Sequence, residues 1–262
     1  MRSLASLTAV LLVFGVGGGF YQRVFLWPAS RLWPPHRDRL MWSFMVRMGG
    51  WVLAIFRMGG ASFRRRGVVP AGIGPRLVLM NHQSILDVPT IFLLTYPEIP
   101  QIVTRRRYGR HVPLVSLMLR ILDYPLVEPE TDPRGAIATL KKAARRGGPG
   151  VLLFPEGHRS RDGSIGPFET AGVRVVLGER PMPVFLIVTD GFWVAPRVVD
   201  FAFRVHRLHG ETEVLGPFTP PASSAEITAF VERMRATMID HLAVMRARRE
   251  PAELPARGRG AA

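Results

Sequence analysis

The apolar positions fall into three zones. Ser3 to Gln22 carries no charge, and Leu4–Val16 is nearly continuous Leu, Val and Ala. About 20 residues at 1.5 Å per residue reach across a bilayer core of about 30 Å, so this stretch predicts a membrane-anchoring helix. Gly15 and Gly19 give it a small-xxx-small spacing that lets another helix approach. A cleaved signal peptide is the competing reading, with Arg2 as the charged start. Against it, no A-x-A-like site follows, and Phe20 and Tyr21 come directly after the glycines. The second zone, Met41–Met58, is broken by Arg47 and Arg57, about 80° apart on a helix. It leaves a broad face of Trp42, Met45, Val46, Leu53 and Phe56. That pattern predicts a helix lying at a membrane interface, and a core helix of a soluble domain is the alternative. Four of the five Trp (Trp27, Trp33, Trp42 and Trp51) fall in or between these zones, in keeping with an interfacial belt.

From about residue 60 the pattern turns to short buried-strand runs with helices between them. Arg76–Met80, Gln101–Thr104, Gly150–Phe154, Pro183–Val188 and Phe201–Leu208 read as strands. Asp132 and Pro133 read as a helix N-cap followed by a first-turn proline. Ser223 and Glu226 read as a capping box. Ile227, Phe230, Met234, Met238, Leu242 and Met245 then recur at helical spacing, as a core-packing stripe. The expected architecture is α/β: a mixed sheet flanked by helices, with an N-terminal membrane-associated helical segment. Residues 1–59 form the anchoring segment, residues 60–247 the α/β domain and residues 248–262 a disordered Arg-rich tail.

Composition narrows the chemistry. The 262 residues include no Cys, which excludes a disulfide framework, a thiolate zinc site and a Cys nucleophile. Lys and Arg number 35 against 20 Asp and Glu, a net charge of +15, and only Lys141 and Lys142 are lysines. Such a balance asks for an anionic partner: nucleic acid, anionic lipid or a phosphorylated substrate. No helix-turn-helix, RNA-recognition or finger signature accompanies the charge, so a non-catalytic nucleic-acid or membrane binder is the weaker reading. Arg23, Arg31, Arg37 and Arg39 follow the first apolar segment and only Arg2 precedes it, which predicts that the bulk of the chain lies on the cytoplasmic side.

Two constellations follow strand-like runs. In Asn81-His82-Gln83-Ser84-Ile85-Leu86-Asp87, a His and an Asp stand five apart across a strand-to-helix turn. A carboxylate bonded to one ring nitrogen fixes the tautomer an imidazole needs to take a proton. On spacing alone, a structural His beside an N-capping Asp87 is equally compatible. Ser84 lacks a G-x-S-x-G elbow and reads as a turn residue. In Phe154-Pro155-Glu156-Gly157-His158-Arg159-Ser160-Arg161, Gly157 allows close backbone approach and Arg159 and Arg161 offer forked donors for phosphate. A charged loop with Glu156 paired to an Arg is the alternative.

Together, H-x-x-x-x-D and F-P-E-G-x-R-S about 70 residues later resemble the glycerolipid acyltransferases typified by 1-acyl-sn-glycerol-3-phosphate acyltransferase, over roughly residues 60–220. The resemblance implies His82 as general base and Asp87 as its orienting partner. It implies Glu156, Gly157 and Arg159 at the glycerol phosphate of the acceptor, and Arg106 nearest a further basic position. The donor would be acyl-CoA or acyl-carrier protein, used as co-substrate with no other cofactor and no metal, and the acceptor a lysolipid at the membrane. The alternative acceptors are a lyso-ornithine lipid or another lysophospholipid. Pro129 stands where the family often has Arg, unless Arg134 substitutes. His158 replaces the usual Thr, Glu169 stands where Lys often follows Phe, and Met182-Pro183-Val184-Phe185-Leu186 lacks a second Pro. These departures bear on the acceptor.

Overall fold

The computed structural model describes residues 2–146 and 148–253. Six strands form one mixed sheet in the order β1-β8-β7-β2-β6-β3: β1 Ser62–Arg66, β2 Arg76–Met80, β3 Gln101–Ile102, β6 Gly150–Leu153, β7 Val184–Asp190 and β8 His209–Phe218. All neighbours run parallel except β7 and β8. A separate parallel pair joins β4 Thr104–Arg105 to β5 Leu126–Val127. The Gln101–Thr104 run is therefore split between two sheets.

Strand alternation sorts the core into two layers. Leu77, Leu79, Val151, Leu153, Val184, Leu186 and Val188 face α5 (Pro133–Arg145), α6 (Thr170–Glu179) and α8 (Ile227–Glu253). Val78, Met80, Leu152, Phe185 and Ile187 face α2 (Arg37–Met58), α3 (Asp87–Thr95) and α4 (Val115–Ile121). The whole stripe from Ile227 to Met245 is buried in the first layer, as its spacing predicted. Met238 is fully covered, so Met238→Ala should lower stability by about 2–5 kcal/mol. A denaturant titration showing a loss well below 1 kcal/mol would contradict that packing.

Three expectations change. Met41–Met58 does not lie at an interface. Met41, Phe44, Met45, Met48, Val52, Leu53 and Phe56 are buried against the sheet and α3, while Arg47 and Arg57 point to solvent. An apolar stripe suits a sheet as well as a lipid, and here the sheet takes it. Residues 1–59 and the following domain therefore share a core. Phe201–Leu208 is not a strand: α7 (Phe201–Arg204) and a 3-10 turn (Val205–Arg207) occupy it, with β8 starting at His209. Its buried residues Phe201, Val205 and Leu208 have helical spacing, whereas Phe203 is 77 % exposed. Of the expected tail, residues 248–253 continue α8 and residues 254–262 lie outside the described part. Arg248 and Arg249 there pair with Glu213, Asp190 and Glu211 on the sheet.

The helix caps follow the sequence in part. The Asp132 carboxylate accepts the Gly135 amide with Pro133 in the first turn, as expected. Ser223 caps a 3-10 turn through the Ala225 amide, but Glu226 does not return a bond to complete a box.

The first apolar segment is one long helix, α1 (Arg2–Leu32), with π-helical stretches at Leu11–Gly18 and Gln22–Leu26. It does not stand away from the domain. Ser3 reaches His206, Gly18 sits against Leu114 and Met48, and Tyr21 stacks on Phe44. Its inward face carries Leu7 and Leu26 together with Ser3, Ser6, Gly18, Gly19, Gln22 and Ser30, all buried, whereas Leu4, Leu12, Val16, Phe20, Val24 and Phe25 point outward. A helix that buries most of its small and polar residues and turns a row of large apolar ones outward is the reverse of a helix facing water.

Candidate active site

β2, β6 and β7 run parallel and end on the same edge of the sheet, so the loops after all three meet there. The loop after β2 holds His82 and runs into α3, whose first residue is Asp87. Asp87 is fully buried and its Oδ2 serves three donors: His82 Nδ1 at 2.7 Å, the Gln83 amide at 2.7 Å and the Ser84 amide at 2.9 Å. The two amides hold the carboxylate aimed at the ring. A carboxylate can only accept here, so Nδ1 carries a proton, and in the neutral ring this leaves the lone pair on Nε2. Nε2 has no protein partner among the described residues, and the His82 side chain is 20 % exposed. The ring stacks on Phe154, with centroids 4.1 Å apart, which fixes its plane. The spacing does bring the carboxylate to the ring, but Asp87 is the first helical residue and not an N-cap, and the amides it accepts lie ahead of the helix. Asp87 braces the turn, and the same oxygen holds the imidazole.

The loop after β6 is laced to this turn. The Ser160 amide donates to His82 O at 2.7 Å. Glu156 is buried, and its two oxygens accept from the His82 amide at 2.8 Å and the Gly166 amide at 2.9 Å. Burial pushes its carboxyl above its ordinary value, outweighing the two amide bonds that favour the charged form. Glu156 is thus turned toward the backbone under His82. Gly157 is exposed and has φ +70°, a left-handed conformation that suits glycine, with the Glu169 side chain beside it. Arg159 donates one N–H to Pro196 O and leaves the rest of its fork without a protein partner among the described residues.

The basic stretch before Pro113 divides. Arg106 pairs with Asp132 at 3.0 Å, over half of it exposed. Arg105 is the residue that touches the motif loop, at Gly157 O (3.5 Å), while pairing with Glu128 and Glu130. Ion pairing with Glu130 raises the Arg105 guanidinium above its ordinary value. Pro129 and Arg134 are both exposed.

Several supporting residues were not singled out from the sequence. Asn81 clamps the ends of β2 and β7 through paired bonds with Thr189 N and O at 2.8 and 2.9 Å. Gln83 Oε1 accepts the Phe192 and Trp193 amides, and Ser84 donates to Ala195 O at 2.6 Å. Ser84 is therefore buried and committed, a turn residue and not a nucleophile. The available signal was position: polar amides directly after the apolar run Leu77–Met80, where a tight loop must satisfy buried backbone.

The family model described as Acyltransferase matches residues 60–188. The chain is 25 % identical over 143 residues to a 1-acyl-sn-glycerol-3-phosphate acyltransferase of Borreliella burgdorferi, covering 53 % of this chain and 56 % of that protein. It is 24 % identical over 221 residues to one from Cocos nucifera, covering 82 % of this chain and 66 % of that one. The chain thus spans between about half and two thirds of these relatives. Among solved structures it is similar to the 1-acyl-sn-glycerophosphate (LPA) acyltransferase PlsC from Thermotoga maritima, with a TM-score of 0.66 over 92 % of this chain and 95 % of that one. At 20 % identity, that likeness is one of fold.

Proposed function

We propose that the chain, whose residues 60–188 match the acyltransferase family model, moves an acyl chain from an acyl thioester to the free hydroxyl of a lysolipid. The leading acceptor is 1-acyl-sn-glycerol-3-phosphate, and the product is then phosphatidic acid. The observation that carries the reading is the His82–Asp87 pair, with Nδ1 held at 2.7 Å and Nε2 open on the sheet edge where three loops converge. In the step, Nε2 takes the hydroxyl proton as the oxygen attacks the thioester carbonyl. The new C–O bond forms and the C–S bond breaks. The departing sulfur then takes the proton back from Nε2. Asp87 stabilises the transient imidazolium and holds its orientation. No acyl-enzyme is needed, in keeping with a chain that has no Cys and a Ser84 hydroxyl already engaged.

Arg159 and Gly157 receive the acceptor's phosphate in this reading, with Arg105 alongside the loop. Glu156 acts from beneath, by fixing the His82 backbone. The outward apolar face of α1 sits in the membrane, with the domain on the cytoplasmic side. The support is that inverted face and the Arg excess after its first apolar stretch.

A specific observation favours the second reading, transfer to a lyso-ornithine lipid or another lysophospholipid. Glu169 runs its side chain beside Gly157, and the negative charge it carries there disfavours a dianionic phosphate and favours a headgroup bearing an amine. The test offers the purified full chain a panel of these lysolipids, with acyl-CoA and with acyl-carrier protein, and identifies products by mass spectrometry. Phosphatidic acid as the main product is expected. Products only from the other acceptors would select the second reading, and no acylated product would overturn both. Arg159→Ala should raise the KM for a phosphorylated acceptor by roughly tenfold or more, the worth of a charge-assisted bond. An unchanged KM would remove Arg159 from the phosphate.

A further inference from the structure

A second concave site lies beside the one described. A cavity of about 660 Å³ is lined by Arg161, Trp193, Arg204, His206, Arg207 and His209. Its size is that of a small-molecule site. No carboxylate lines it, and none of its three arginines forms an ion pair among the described residues. Arg204 donates only to Val194 O. Arg246, Arg248 and Arg249, by contrast, are paired with Asp190, Glu211 and Glu213. Three unpaired guanidinium groups converging on one hollow repel each other unless an anion occupies it. Their planar forks match phosphoryl oxygens.

The cavity also has an aromatic wall held in place. A side chain at Gly163 would come within 2.6 Å of the Trp193 indole, so glycine there lets the ring settle onto the backbone. The Trp193 amide is tied to Gln83. The His206 and His209 rings are fixed through Nδ1 to Ser3 (3.3 Å) and Ser62 (2.9 Å). A pre-set aromatic face among phosphate donors suits a ligand with both a nucleobase and several phosphates.

The walls of the cavity are tied to the reacting edge. Arg161 belongs to the loop that supports His82, and Pro196, also in the wall, accepts from Arg159. The Ser84 hydroxyl reaches Ala195 in the same segment. We propose that this cavity binds the 3′-phosphoadenosine diphosphate part of a coenzyme A thioester, and so that the acyl donor is a nucleotide thioester and not a carrier protein. The inference rests on the acyl transfer proposed above. A fixed aromatic face beside unpaired guanidinium groups fits the base and phosphates of a nucleotide, whereas the phosphopantetheine arm of a carrier protein brings no base to stack.

The experiment has a binding arm and a kinetic arm, both on the full chain in detergent micelles. Calorimetry measures adenosine 3′,5′-bisphosphate, inorganic phosphate and glycerol 3-phosphate against the wild type, Arg207→Ala and Trp193→Ala. Kinetics compares acyl-CoA with acyl-pantetheine, which lacks the nucleotide, and with acyl-carrier protein. The bisphosphate should bind tighter than the other two anions, and Arg207→Ala should weaken it by about tenfold to a hundredfold. The same variant should raise the KM for acyl-CoA by a similar factor and leave the KM for acyl-pantetheine and acceptor unchanged. Circular dichroism confirms that each variant is folded. The proposal is overturned if the bisphosphate binds no better than phosphate, if the variant raises the acceptor KM instead, or if only acyl-carrier protein serves as donor. Bisphosphate binding that depends on Arg207, with no acyl transfer from any donor, would keep the site and remove the proposed function. Transfer from acyl-CoA unaffected by Arg207→Ala would do the reverse.

Discussion

His82→Ala is expected to lower kcat by about 10²–10⁴-fold, the usual worth of a general base, while the protein still folds. The reason for both halves lies in how little else the ring does. It makes one polar bond, to Asp87, and packs on Phe154. Without it Asp87 Oδ2 still accepts the Gln83 and Ser84 amides, so no buried carboxylate is stranded. The His82 backbone also remains pinned by Glu156 and Ser160. Single-turnover assays with a lysolipid and an acyl thioester read the chemistry, and thermal melting reads the fold. A folded His82→Ala protein with near-normal turnover would end the proposed mechanism.

Asp87 yields the second large effect, and two substitutions separate its two duties. In Asp87→Asn the amide oxygen can stand where Oδ2 stands and still accept the two backbone amides and the ring. The local fold is kept but the charge that stabilises an imidazolium is lost, so kcat should fall by about 10²–10⁴-fold with the melting temperature little changed. Asp87→Ala removes the acceptor altogether. Two buried amides, of Gln83 and Ser84, then lose their partner at about 1–3 kcal/mol each, and stability should drop along with activity. Chemical denaturation of the two variants side by side checks the split. Wild-type kcat in the Asn variant would show that the carboxylate only braces the turn.

Local chemistry was legible in the sequence where it depends on residues close in the chain. Arg76–Met80 was readable as a strand from its continuous apolar run, and the His82 to Asp87 spacing stated the turn that brings them together. What failed depended on distant partners. Met41–Met58 has an apolar face whose width says nothing about whether lipid or a sheet covers it. Phe201–Leu208 satisfies both a period of two and a period near 3.6, and burial of Val205 and Leu208 decides for the second. Glu156 in a charged loop gives no hint that both oxygens will meet backbone amides from two other turns. The basic cavity was invisible for the same reason, because residues 193–209 close on Arg161 only through the antiparallel return of β8 along β7.

The inverted packing of α1 sets the dimensionality of the reaction. A helix that packs Leu7, Gly18 and Leu26 on the domain and offers Leu12, Val16 and Phe20 outward would hold the sheet edge at a fixed depth beside the lipid. On the proposed reading the acceptor then arrives by lateral diffusion while the donor arrives from water. The rate should follow the acceptor's mole fraction in the bilayer or micelle and not its bulk molarity. Adding inert lipid at constant acceptor amount should slow the enzyme by surface dilution alone.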